Sequence, residues 1–150
     1  MAPTPLTQDE QYTWMTLWSM LDAPLILGND LTRLDPFTLA LLTNDEVIAV
    51  NQDALGKQAV PLVRKDGIET WEKDLEDGSK AIALFNRGGK SAPVRLERST
   101  LGVQGKWLVR DLWSHKDLGE LQPSWDSTVQ THGAILLRIS RLAHNSALRN

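Results

Sequence analysis

The sequence predicts an α+β chain, a helix-strand-helix segment followed by an all-β antiparallel sandwich, and three observations carry that prediction. Pro24-Leu25-Ile26-Leu27 is a short apolar run without alternation, with residues at helical spacing before and after it. Such a run reads as a strand covered on both faces, as in a parallel sheet fed by crossover helices. No second run of this kind follows, so the backbone groups of this strand lack neighbours within the chain. From Leu55 onward the period changes from helical to alternating, with Gly-containing turn signals between short β-rich runs.

Composition bounds the possibilities. A chain of 150 residues suits one ordinary domain, or a small domain carrying a piece of another. With 41% apolar and 23% charged residues the composition is that of a folded globular chain. The net charge of -3 comes from 16 basic and 19 acidic residues interspersed along the sequence, which leaves no basic stripe for nucleic acid and no polybasic membrane segment. Neither partner is expected. There is no Cys, so no disulfide and no thiolate metal site can form. No run approaches transmembrane length, and MAPTPLTQDEQ lacks the basic and apolar regions of a signal peptide, so localisation is left open.

The elements follow in order. Met1 to Leu6 is Pro-rich and irregular; Thr7 with Glu10 makes a capping box that starts a helix. Its expected buried stripe is Trp14, Leu17, Trp18 and Leu21, widened by Met15 and Met20. Pro24 ends this helix and opens the strand, which closes on Gly28-Asn29-Asp30. Asp35 as N-cap and Pro36 at the first position start a second helix. Thr43 and Glu46 repeat the capping-box spacing and predict a short third helix carrying Val47, Ile48 and Val50. Strands are predicted at 59–63, 68–72, 81–86, 94–97, 107–113, 128–130 and 134–139, consistent with a sandwich. This divides the chain into 1–55, 56–141 and a tail, 142–150, expected to fray. Only the β segment is expected to have a core of its own.

LWSMLDAPLILGNDL, then LLTNDEVIAVNQDALGKQ, then the weaker TWEKDLEDGSKAIALFNRG resemble the final part of the α-galactosidases of glycoside hydrolase family 27. The resemblance implies that residues 1–55 are the end of a (β/α)8 barrel, with 24–30 as its last strand and loop, and that 56–141 are the C-terminal β-domain. It implies retaining hydrolysis of terminal α-galactosides, which needs two carboxyl groups about 5 to 5.5 Å apart. In the family both are aspartates on earlier barrel strands, in sequence contexts absent here. No catalytic residue is therefore carried over, and the chain alone is expected to be inactive. The α-galactoside would be bound through barrel elements outside this sequence. The apolar faces before Asn51 would lie open, so self-association or a partner supplying barrel elements is expected.

Four residues are candidates for substrate contact. Asp30, with Asn29, stands where a barrel strand ends, the face at which barrel catalytic groups lie. The same position also suits a residue capping a loop or helix. Trp113 and Trp125 are the candidates for an exposed glycan platform among six Trp, the alternative being that Trp rings fill the core. The run Glu69, Glu72, Asp74, Glu76 and Asp77 reads as a solvated hairpin. His115, His132 and His144 are too scattered for a metal site, and no cofactor fingerprint occurs. Two readings result: the C-terminal portion of an α-galactosidase-like hydrolase, or a free-standing β-sandwich module that binds carbohydrate or protein.

Overall fold

The computed structural model describes residues 4–28 and 30–142. Three helices, α1 (Gln8–Met20), α2 (Pro36–Leu42) and α3 (Asp45–Asn51), precede eight strands. These are β1 (Val60–Lys65), β2 (Ile68–Asp74), β3 (Lys80–Asn86), β4 (Ala92–Glu97), β5 (Trp107–Asp111), β6 (Lys116–Glu120), β7 (Ser124–Val129) and β8 (Ala134–Arg141). Six strands form one antiparallel sheet in the order β1-β2-β3-β8-β5-β6, and β4 pairs with β7 in a second. The tail from residue 143 lies outside the described residues.

Alternation along β3 and β8 sends side chains into two cores. Ile82, Leu84, Leu137 and Ile139 face the two-stranded sheet and meet Val94, Leu96 and Val129. Ala81, Ala83, Phe85 and Leu136 face the opposite way and meet Met15, Met20, Val47 and Val50 of the helices. The molecule is thus layered as helices, six-stranded sheet and two-stranded sheet. The segments on either side of residue 55 share a core.

Local chemistry sets the helix ends. Thr7 Oγ1 accepts from Glu10 N at 3.2 Å while Thr7 N donates to Glu10 Oε2 at 2.8 Å, the reciprocal box the sequence predicts. Asp35 accepts from Thr38 N at 3.0 Å ahead of Pro36, again as predicted. The third helix differs. Its N-cap is Asn44, whose Oδ1 accepts from Val47 N at 3.0 Å, while the Thr43 hydroxyl donates backward to Leu39 O at 2.7 Å. Asn44 wins because its amide also donates to Leu112 O at 2.9 Å across the core, a bond Thr43 has no second group to make.

Four other expectations are corrected in whole or in part. The 24–27 run belongs to no ladder, because no strand lies beside it among the described residues, and Ile26 stands 85% exposed. In α1 the face buried on the sheet is Met15, Thr16, Ser19 and Met20, whereas Trp14 is 48% exposed. Of the expected stripe, Met15 and Met20 lie in the core and Leu17 packs against it, while Trp14 points away from the sandwich. The acidic run after residue 68 does form a hairpin, β2 with β3, and Glu76 and Asp77 are exposed at its turn, but its strand carboxylates are not merely solvated: Glu69 is buried, accepting from Trp71 Nε1 and Arg87, and Glu72 and Asp74 both hold Lys80. The expected strand 107–113 ends at Asp111 in a turn, and the exposed edge strand β6, which carries no β-rich pattern, returns along it.

Since Asn44 caps α3 and ties it to the sheet, Asn44→Ala should cost about 1–2 kcal/mol, against a few tenths for Thr43→Val, read from denaturant midpoints.

Candidate functional site: an open apolar groove on the helix layer

The side of the helix layer away from the sheet is concave. α1, α2 and the segment joining them enclose an open hollow of about 750 Å³, floored by Trp14, Met15, Ile26, Leu27, Phe37 and Leu41. A smaller hollow continues from it past Trp14 and Ile26 to Trp18 and Ile48. Trp14 and Trp18 lean together, ring centroids 4.4 Å apart. Large apolar side chains so exposed, and grouped, form a larger apolar patch than scattered surface residues do.

The carboxylates at its rim are committed locally. Asp30 accepts from Thr32 Oγ1 at 2.7 Å and Thr32 N at 3.0 Å, capping the 3-10 turn Leu31–Arg33. Asp35 makes the corresponding pair of bonds to Thr38. Those hydroxyl and amide bonds hold both carboxyls below the usual aspartate range. Ionised and engaged as acceptors, neither is poised to deliver a proton. Asn29 lies outside the described residues.

The two Trp candidates do not share a surface. Trp113 sits in the turn after β5, donates from Nε1 to Thr16 Oγ1 at 3.0 Å and meets the Tyr12 ring edge-on at 4.7 Å. It packs against the core between helices and sheet. Trp125, opposite Leu96 on β7, packs against the core between the two sheets. Each ring is half-buried, and the large sheet separates them.

A polar cluster that sequence reasoning missed ties α3 to the sheet. Arg110 grips Glu46 with Nε and Nη2, both at 2.7 Å, and reaches Asp117 at 2.9 Å, while His115 Nδ1 lies 2.6 Å from Glu46 Oε1. The Arg110 bonds, helped by His115 against a desolvation cost, hold the Glu46 carboxyl down at about 2. Nothing local could have revealed this pair, because Glu46 and Arg110 are 64 residues apart. On the same side of the helix layer, His132 meets Glu10 at 3.2 Å and its carbonyl accepts from Thr13 Oγ1 at 2.6 Å.

With this geometry in view, residues 65–139 match the family described as the alpha galactosidase C-terminal beta sandwich domain, half of the chain. The chain belongs to that family. Residues 2–53 match a second description, alpha galactosidase A. Alpha-galactosidase 2 of Arabidopsis thaliana is 33% identical over 138 residues, 91% of this chain and 35% of that protein. Alpha-galactosidase I of Mortierella vinacea superposes with a TM-score of 0.87 at 31% identity, over 94% of this chain and 38% of that one. A glycoside hydrolase family 27 β-L-arabinopyranosidase of Geobacillus stearothermophilus superposes with a TM-score of 0.88 at 32% identity, over 98% of this chain and 33% of that one. The chain spans about a third of the length of these alpha-galactosidase relatives.

Two outcomes follow for stability. Trp113→Ala should cost about 3 kcal/mol by opening the core beside Tyr12, measured as a drop in unfolding free energy. For Glu46 the folded value lies below the ordinary 4.5, so its stabilisation is complete above that value and is lost as pH falls from there toward about 2. Glu46→Gln should destabilise the chain by about 1–2 kcal/mol near neutrality and flatten that acid limb in a pH series of melting temperatures.

Proposed function

We propose that this chain is the C-terminal portion of an α-galactosidase-like glycoside hydrolase, in which residues 1–55 complete a barrel whose other elements carry the catalytic carboxylates and bind the α-galactoside. The observation that supports this is the one-sided packing of the helix layer. One side is sealed on the sandwich, while the other presents Trp14, Ile26 and Leu27 around an apolar run whose backbone has no ladder partner among the described residues. A strand left in that state calls for parallel neighbours. The chain's similarity to alpha-galactosidases over residues 2–53 as well as over the sandwich points the same way. The carboxylates at the groove are capping groups, so the chemistry belongs to the elements that cover it.

A free-standing sugar-binding sandwich is the weaker reading. Its candidate rings, Trp113 and Trp125, are divided by the large sheet.

Coexpression with a barrel segment taken from the Arabidopsis relative tests the proposal: hydrolysis of a small synthetic α-galactoside should arise only when both pieces are present. Cleavage by this chain alone, or a stable pair of pieces that stays inactive with the catalytic aspartates intact, would overturn it. Without such a segment the open face should drive self-association, and Ile26→Asp should shift the chain toward monomer in sedimentation velocity.

A further inference from the structure

Lys73 stands on β2 with its side chain wholly shut from water. Its ammonium donates to Val50 O at 2.5 Å, to Ser19 O at 3.3 Å and to the Asp22 carboxylate. Ser19 and Val50 lie in the last turns of α1 and α3, and neither last turn carries a basic residue of its own. Two helix C-termini, each with partial negative charge, thus converge on a single cation supplied by the sheet. Burying an ammonium is costly unless partners surround it, and here they do.

The location matters more than the pairing. Asp22 adopts the left-handed conformation, φ 52°, two residues ahead of the 24–27 run. Around it the terminal carbonyls of α1 are taken up by groups from the rest of the fold. Trp18 O accepts from Ala23 N at 3.0 Å and from Asn51 Nδ2 at 3.3 Å; Met20 O accepts from Ala59 N at 2.8 Å, and Leu21 O from Gln58 Nε2 at 2.8 Å. Asn51 Nδ2 also holds Ala23 O at 2.9 Å. The run leaves the helix layer from this knot, in a direction set by residues on α3, β2 and the linker to β1.

We infer that Lys73 is a positioning residue: acting from the β-sandwich, it fixes the exit of the 24–27 run so that the run stands in place before any parallel neighbour arrives. The inference rests on the proposed function only in naming what the run is in place for. A purely structural lysine would support the whole fold alike, whereas a positioning one governs residues 19–27 in particular.

Native-state hydrogen exchange on the whole chain separates these cases. In Lys73→Met, protection at the Ala23 and Ala59 amides should fall by about tenfold more than at Ile82 and Leu84 of β3. An equal fall at both pairs would overturn the inference. If Lys73→Met does not fold, Asp22→Asn decides, since it leaves the ammonium its two carbonyls: the same amides should loosen by about threefold more than β3, and an equal response refutes the inference. Failure of coexpression with the differential exchange intact would overturn the proposed function and leave this inference standing.

Discussion

Strand β3 is shut from water on both faces, and the rest of the molecule is arranged to keep it so. Its Ala81 and Ala83 are small where the helices press on the sheet, and its Ile82 and Leu84 are large where the two-stranded sheet closes the other side. Small side chains let Met15 and Met20 of α1 come close to the backbone; large ones fill the wider gap between sheets. A one-residue slip of β3 against β8 would exchange these sets and ruin both cores at once. The helix layer is therefore part of the sandwich's stability and not an appendage to it, and the segment joining them, 52–59, is itself tied to the end of α1 through Gln58 and Ala59.

The helix layer meets its two surroundings differently. Toward the sheet, an apolar centre is rimmed by polar ties from distant strands: Lys73 to Asp22, Arg110 and His115 to Glu46, His132 to Glu10. Such ties add modest net stability but fix relative placement, because each is satisfied in one arrangement only. Away from the sheet there are apolar rings, carboxylates that cap local turns, and the 24–27 run, which pairs with no strand among the described residues. One face is specified by these ties; the other is open and apolar.

Sequence reasoning reached the features that short-range chemistry determines. Thr7 with Glu10 and Asp35 with Pro36 are readable because a cap and its partner lie within one turn. The hairpin turns are readable because Asp66-Gly67 and Gly78 mark left-handed backbone. What escaped was set at long range. Asn44 caps α3 because Leu112 holds its amide, 68 residues away. Lys73 lies hidden in a charged run whose burial is decided by the ends of α1 and α3. β6 exists because β5 offers a ladder, not because Lys116-Asp117-Leu118-Gly119-Glu120 prefers to be extended. The apolar stripe on α1 was legible, but period alone does not say that Met15 and Met20 meet the sheet while Trp14 stays exposed. At the candidate site the apolar groove was foreseeable from the orphan run, whereas the half-buried roles of Trp113 and Trp125 followed only from their neighbours.

The likeness to solved structures adds a last step. The chain superposes equally well on a protein named for α-galactoside cleavage and on one named for β-L-arabinopyranoside cleavage, with TM-scores of 0.87 and 0.88 and nearly equal identity. The backbone of this segment is therefore common to proteins named for two different sugars. What this third of the relatives' length has in abundance is support: a sheet buried on both faces, helices pinned at their ends by Lys73 and Asn44, and carboxylates spent on capping. Catalytic groups need a scaffold that holds them to a fraction of an ångström. A helix layer locked from behind by a sandwich is one way to hold the 24–27 run steady without placing any reactive group on it.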